Sequence, residues 1–306
     1  MTQILDERYA DTAEEENLER RTKERGIIRK AATKSIRKAI LVGAEIQVGV
    51  RFSSDSINYR VSEKLPEENA YKLEAETPGR IGNEYSGVIY PLDYVEGMSS
   101  ATITDVLIPG EDEESDDELR WRYFQSFNSQ AFGGNIADYK EKVDALQGVG
   151  GVKVYPTKNG AGTVGLTIIN SDYGVPSSEL IQQVQTAIDP VEMTGEGKGI
   201  APIGHKVTVS GVTEKVINIA TTITYASGWN YEEAKTHIES AVDAYFKELS
   251  KSWSDSETIV VRIAQIETRL LNLDAVLDIA NTTLNGEAVN IQLAVDEIPK
   301  RGTVIG

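Results

Sequence analysis

The chain has 306 residues, 40% of them hydrophobic, and a mean hydropathy of −0.30, which is enough for two or three domains with real cores. It has no cysteine, which removes disulfides, thiolate metal sites and cysteine nucleophiles together, and only two histidines, His205 and His237. The net charge of −17 is uneven: residues 20–38 hold nine Lys/Arg against one Glu, and the remaining body carries −25, a balance that argues against a dedicated nucleic-acid binder.

No apolar run approaches the ~20 residues of a membrane-spanning helix. The opening stretch, MTQILDERYADTAEEENLERR, is too polar for the apolar region of a signal peptide. The basic segment has the charge to touch nucleic acid or lipid headgroups. The more ordinary role of such a run is a solvated face or a contact for an acidic neighbour.

In chain order, residues 11–25 read as a helix ended by Gly26. Residues 27–42 fit neither period cleanly, but the alternation Lys34, Ile36, Lys38, Ile40, Val42 favours a strand. From about Glu45 to Ile108 short β-rich runs (IQVGVRF, INYRV, YKLEA, GVIYPL, ATITDVLI) sit between turn clusters such as Pro78-Gly79 and Gly82-Asn83. That spacing predicts a small antiparallel sheet or sandwich. Pro109-Gly110 and the acids after it mark a first boundary. Ser115 with Glu118 forms a capping-box pattern, and Leu119, Tyr123 and Phe127 share a helical face. Asn135 caps a second helix with Tyr139, Val143 and Leu146 inward.

Gly148-Val149-Gly150-Gly151 then leads into the strand VKVYP, and Asn159-Gly160 returns the chain as VGLTII. Pro176-Ser177-Ser178 opens a helix carrying Leu180, Ile181, Val184 and Ile188, stopped by Pro190. Residues 191–204 read as a glycine-rich linker and second boundary. Strand patterns follow at KVTVSGV and VINIATTITY, and then the clearest helix of the chain. Asn230 caps it, and Tyr231, Ala234, Ile238, Ala241, Val242, Tyr245 and Leu249 form its stripe. A shorter helix around Ile263, Ile266 and Leu270 precedes AVLDIA, Asn285-Gly286 and a final strand in which Val289, Ile291, Leu293 and Val295 alternate with polar residues.

The order helix, strand, Asn-Gly, strand occurs at 137–169 and again at 262–295, which suggests two related helix-on-hairpin layers. The expected class is therefore a multi-domain α+β fold. Its parts are an N-terminal helical and extended segment (1–44), a β-rich domain (45–110) and two α+β domains (111–195 and 196–306).

Candidate chemistry is thin. Gly160, Gly162 and Gly165 match GxGxxG, but a strand rather than a helix follows, so a hairpin turn is the expected reading. Gly195, Gly197 and Gly199 lack the Lys-Ser/Thr ending of a phosphate loop and look like a flexible connector. The acids Glu111, Asp112, Glu113, Glu114, Asp116, Asp117 and Glu118 lack calcium-loop spacing and suit a helix N-terminus. His205 and His237 sit in no local metal or triad pattern. No residue is assigned a catalytic, cofactor-binding or metal-ligating role, and no cofactor is expected. The aromatics Trp121, Tyr123, Phe124, Phe127 and Phe132 are dense, and either burial between domains or a subunit contact accounts for them.

Several motifs fall in an order that resembles the baseplate J-like proteins of contractile phage tails and related injection machines. They are ADTAEEENLERRTKERGI (10–27), TPGRIGN with GVI (77–89), IPGEDEESDDELRWRY, AFGGNIADYK, GVGGVKVYP, GKGIAPIGHKVTV and TLNGEAVNIQLAVDEIP. The likeness covers nearly the whole chain and is nearest to the branch found in phages and tail-like particles of Gram-positive bacteria. It implies a non-enzymatic baseplate wedge subunit in a six-fold ring around the central hub, rearranging to permit sheath contraction. The implied partners are other wedge, sheath-initiator, hub and fibre-side subunits and further copies of itself, with no nucleic acid, membrane span or small-molecule substrate. Assembly would occur in the host bacterial cytoplasm, and the particle would be a phage, a prophage or a tail-like bacteriocin. The resemblance also implies a helical segment before Asp11-Thr12-Ala13, where this sequence has ten residues. A tail-associated enzyme acting on cell-envelope polymers is the alternative; it would need two carboxylates about 5–10 Å apart across a sugar-sized cleft.

Overall fold

The computed structural model describes residues 9–54, 57–127 and 134–306. The chain divides into two compact units, Met1–Gly148 with Ser177–Gly204, and Val149–Pro176 with His205–Gly306.

The first unit begins with helix α1 (Glu15–Lys23), followed by Gly26 at φ +73°. Its strands are β1 (Ile36–Val42), β2 (Arg51–Ser53), β3 (Asn58–Lys64), β4 (Ala70–Ala75), β5 (Gly87–Val88), β6 (Tyr90–Pro91) and β7 (Ser100–Ile108). Among the described residues these seven form one sheet, in the order β5-β7-β1-β4-β3-β2-β6, with every pairing antiparallel. β5 and β6 lie at opposite edges, yet only Ile89 separates them in the chain. The sheet must therefore curl until its edges nearly meet, giving a near-barrel rather than a two-sheet sandwich. Its interior holds Leu41, Phe52, Tyr59, Leu73, Ile89 and Ile103, each at most 1% exposed. Burial of side chains this size is worth roughly 1.5–3 kcal/mol apiece. β1 is a strand, as its alternation predicts, but the inward set is Arg37, Ala39 and Leu41, while Ile36, Ile40 and Val42 are half-buried.

Four α-helices and a short 3-10 turn (Val191–Met193) complete this unit among the described residues, the helices being α2 (Ile81–Glu84), α3 (Asp116–Gln125), α4 (Ile136–Asp144) and α5 (Ser178–Ile188). The caps read from the sequence are made. Ser115 and Glu118 close a capping box, Asn135 does the same with Asp138, and Ser177 Oγ accepts from Leu180 N. The stretch 191–204 is not the flexible connector its composition suggests. Ile200 N donates to Ala187 O (3.1 Å) and Ala201 N to Ile188 O (2.8 Å), and Asp189 accepts from Gly195 N (3.0 Å). Gly199 is needed for contact, since a Cβ there would fall 2.4 Å from Ile188 O.

The second unit holds two three-stranded sheets. In one, β8 (Val149–Pro156) and β9 (Thr163–Asn170) form a hairpin, and β10 (Lys206–Gly211) joins β9 in parallel. In the other, the thirteen-residue β11 (Thr213–Tyr225) is central, antiparallel to β13 (Val276–Leu284) and parallel to β15 (Glu297–Ile305). The two-residue strands β12 (Val260–Val261) and β14 (Ile291–Gln292) pair with each other. Helices α6 (Tyr231–Lys251) and α7 (Ile263–Leu271) bury Ala234, Ile238, Val242, Ile266 and Leu270 in one core with Ile217, Ile219 and Trp253.

The α+β class, the N-terminal helix and the β-rich sheet thus stand as read from the sequence. Two further expectations fail. The last strand is Glu297–Ile305, and only Ile291–Gln292 of the 289–295 alternation is strand, with Val289 60% exposed. The internal repeat fails too. β13 pairs with β11 and not with β14, so no second hairpin forms, and α4 falls in a different compact unit from β8 and β9.

Candidate functional site

Four segments of the first unit meet at one junction: the arm 28–35, the turn 78–83, the acidic strap 109–118 and the end of α4. Thr33 joins three of them. Its amide donates to Glu111 O (2.8 Å), its hydroxyl accepts from Glu111 N (3.0 Å), and its carbonyl accepts from Gly79 N (2.8 Å). The Asn83 side chain pairs with Gly110 in both directions, donating to its carbonyl (2.9 Å) and accepting from its amide (2.8 Å). Asp112 Oδ1 accepts from Arg80 N at 2.9 Å. At the crossing only glycine fits position 110, where a Cβ would lie 2.7 Å from Gly79 O and 2.8 Å from Ser35 N. The end of α4 is tied in by Gly148 N to Glu111 Oε1 (2.9 Å), Gln147 Nε2 to Lys34 O (3.1 Å) and Lys30 Nζ to Asp144 O (3.1 Å).

The acidic run does more than cap a helix. Glu114, 8% exposed, accepts from Arg122 Nε (2.8 Å) and Nη2 (2.7 Å) and from Lys30 N (3.0 Å). Burial alone would raise its carboxyl pKa; the Arg122 and Lys30 hydrogen bonds outweigh that and hold it below the ordinary carboxylate range. Asp116 is likewise held low, first by the Glu15 amide (2.8 Å) and then by Arg29 (2.5 Å). Arg29 also reaches Glu19 (2.7 Å) and the Glu114 carbonyl (2.6 Å). Within the basic segment, Arg29 is thus a contact for this chain's own acidic strap, while Arg20 and Lys23 stay exposed. The segment's other charges include Lys34 on Glu74 (3.0 Å), Lys38 on Glu67, and the fully buried Arg37. Arg37 donates to the carbonyls of Gly82 (2.8 Å) and Asp105 (3.1 Å) and to Ser86 Oγ (3.0 Å), and burial pushes its pKa down.

The other sequence candidates lie apart from this junction. GxGxxG falls in the β8–β9 connection and in β9 itself, with no helix N-terminus following for a phosphate. His237 is exposed and its ring sits 5.7 Å from that of Trp229. Among the described residues no group of three or more His, Asp or Glu is placed to hold a metal. A cavity of about 750 Å³ is lined by Lys34, Arg51, Arg60, Glu74 and Glu76 among others. Glu76 there binds Arg51 (2.7 and 2.5 Å) and Arg60 (3.2 Å), and the Arg51 bonds hold its carboxyl below the ordinary range. That is the opposite of the raised pKa a general acid needs. Trp121, Phe124 and Phe127 are 66%, 45% and 55% exposed, so these three are not buried; Phe132 lies outside the described residues.

The junction was hidden in the sequence because Thr33, Asn83 and Gly110 are common residue types joined only by long-range hydrogen bonds. The available signals were the paired turns Pro78-Gly79 and Pro109-Gly110 and the lone Arg37 on an alternating strand.

Comparison with known proteins bears on what the junction serves. The model of the baseplate J-like central domain matches residues 131–211, and that of the baseplate J-like C-terminal domain matches residues 217–305. Two proteins of Bacillus subtilis (strain 168) align over 304 residues, 98% of this chain and 84% of each of theirs. The uncharacterized protein YqbT is 38% identical and the phage-like element PBSX protein XkdT is 36% identical. The chain belongs to the baseplate J-like family. A cryo-EM structure of the anti-feeding prophage (AFP) baseplate, 6-fold symmetrised, covers 90% of this chain and 78% of its own at 8% identity and a TM-score of 0.45, too slight a likeness to build on. The junction gives the baseplate J-like motifs a physical reason. Those at 10–27, 77–83 and 108–123, together with Gly148 at the start of the motif 148–156, send residues to this junction or to the strap and helices bound to it.

Proposed function

We propose that this chain is a structural wedge subunit of a contractile-tail baseplate, set in a six-fold ring around the central hub and repacking when the sheath contracts. Family membership carries this reading, and the kinship over 98% of the chain with a protein of the phage-like element PBSX supports a phage or prophage origin. The junction supports it in kind. It spends its polar groups on holding segments together. The partners are the neighbouring wedge, sheath-initiator, hub and fibre-side subunits and further copies of the chain, and the protein has no catalytic role. Work is then done by interfaces that exchange one packing for another.

The test is electron microscopy of particles from a lysate in which the chain carries a labelled epitope tag, with extended and contracted tails compared. Label at the tail end distal to the head or collar is expected. Assembled particles without label there, with the chain free in solution, would overturn the proposal.

A further inference from the structure

Two exposed apolar surfaces of the first unit carry opposite charge. The first runs along α3 and the turn just past its end, where Trp121, Phe124 and Phe127 recur every three residues and remain 45–66% exposed. Ile28, 70% exposed, is joined to it through Arg122, which donates to the Ile28 carbonyl at 2.6 Å. Arg25 lies 3.9 Å above the Phe127 ring and donates to Ser126 O at 3.2 Å. α1, packed beside α3 through Leu18 and Leu119, adds the exposed cations Arg20 and Lys23 alongside the exposed acids Glu16, Glu19 and Glu24, of which Glu19 is paired with Arg29 and Glu24 with Arg21. Asp117 and Glu118 lie at the opposite end of α3, and Arg120 pairs with Asp117 at 2.6 Å. Exposed aromatic rings with arginine are the composition of interface anchors.

The second surface is the seam of the near-barrel. Ile89 turns inward, while Val88, Tyr90, Leu92 and Tyr94 alternate outward at 52%, 67%, 45% and 90% exposure. Glu84, Asp93 and Glu96 are exposed along the same stretch, no Lys or Arg occurs between Arg80 and Arg120, and the cation nearest Asp93 is Arg51 of the neighbouring β2, which is itself bound to Glu76. Four outward apolar residues beside three acids form a ridge that isolated surface residues would not.

We propose that the basic aromatic stripe of one copy seats on the acidic aromatic ridge of the next, a head-to-tail contact between copies of this chain. Charge selects this pairing. Stripe against stripe would oppose Arg25 and Lys23 to their own duplicates, and ridge against ridge would oppose Asp93 and Glu96 to theirs. Stripe against ridge joins unlike charges around apolar centres. A contact between two different patches of one chain propagates around a circle and closes where the rotation allows, unlike a two-fold contact. The proposal rests on the multi-copy ring reading above.

Because the chain has no cysteine, introduced thiols report contact without background. Phe124→Cys and Tyr94→Cys variants, checked for native circular dichroism, are mixed and mildly oxidised as purified protein at high concentration, and both are also built into particles. The mixed pair is expected to form a disulfide-linked dimer, and neither variant alone. Arg25→Glu should cut the yield about tenfold, and adding Asp93→Arg to the facing copy should restore it. Dimers from Phe124→Cys alone would reveal a two-fold contact and overturn the proposal. No mixed dimer in either sample would also overturn it. Mixed dimers in solution with the chain missing from particles would uphold the contact and sink the baseplate reading. The chain in particles without mixed dimers would do the reverse.

Discussion

Replacing Glu114 by Gln exchanges one oxygen for an NH₂ group at nearly constant volume, and it tests the acidic strap directly. The native carboxylate accepts three hydrogen bonds, two from Arg122 and one from the Lys30 amide, and its side chain is 6% exposed. The amide oxygen of Gln can replace only one of the two carboxylate oxygens, so its NH₂ group faces either Arg122 Nε or both Arg122 Nη2 and the Lys30 amide, and the charge that held Arg122 is gone. Bonds to a charged group contribute about 1.5–3 kcal/mol each. Arg122 is 31% exposed and recovers part of its loss from water, so we expect a net cost of about 3 kcal/mol. The damage should be local to the bonds that close the arm on the strap, Lys30 N to Glu114 Oε2, Glu114 N to Lys30 O and Thr33 N to Glu111 O. Hydrogen exchange read by mass spectrometry at neutral pH should show peptides covering 28–34 and 111–118 exchanging roughly a hundredfold faster, while β11 of the second unit is unchanged. A change below about threefold in residues 28–34 would refute the strap as the device that holds the arm.

Other substitutions and conditions separate the remaining claims. Gly110→Ala drives a Cβ into two backbone atoms that cannot move aside and should cost about 2–3 kcal/mol. Gly204→Ala meets no atom within 4 Å but keeps φ near +85°, and should cost about 1–2 kcal/mol; thermal unfolding ranks the two. Glu114 and Asp116 both have folded pKa values below the ordinary ones. Their contribution is therefore complete above the unfolded-state values of about 4 and is lost as pH falls through the lower folded values. Exchange protection at the strap should thus decline below about pH 4, and less steeply in the Glu114→Gln variant. Trp253→Phe removes a fully buried indole whose Nε1 donates to Val295 O at 2.8 Å. Its cost, about 2 kcal/mol, should appear as lowered urea resistance of the second unit alone.

What the sequence revealed was local. Ser115 with Glu118, Asn135, Ser177 and Asn230 cap helices because their side chains reach amides three residues on, and that geometry is written in spacing. The stripe of α6 was legible for the same reason. β15 was not, because Pro299 and the run Lys300-Arg301-Gly302 interrupt any alternation, and its pairing comes from β11 some eighty residues earlier. Strands of two residues such as β5 and β6 have no period to read. The glycines of 191–204 looked like slack, yet Gly199 is there to let the chain lie against Ile188. At the junction the obstacle was of the same kind: Thr33, Asn83 and Gly110 acquire their meaning only when distant segments cross. The aromatics of α3 were visible as a dense group, but only the folded chain shows Trp121, Phe124 and Phe127 exposed, against the reading of burial between domains.

The long run Lys206–Tyr225 has a mechanical consequence. Interrupted only at Val212, whose amide still donates to Ile168 O, it is an edge of one sheet and then the centre of the next. Its parallel partners, β9 for the first stretch and β15 for the second, lie alongside it rung by rung, from Lys206 opposite Thr163 to Ala220 opposite Ile305. Tension applied along such a ribbon loads all the rungs of a pair together, in shear, instead of peeling them open one after another. A pull along Lys206–Tyr225 is thus shared among many backbone hydrogen bonds of the second unit, apart from the register shift between Ile217 and Ile219.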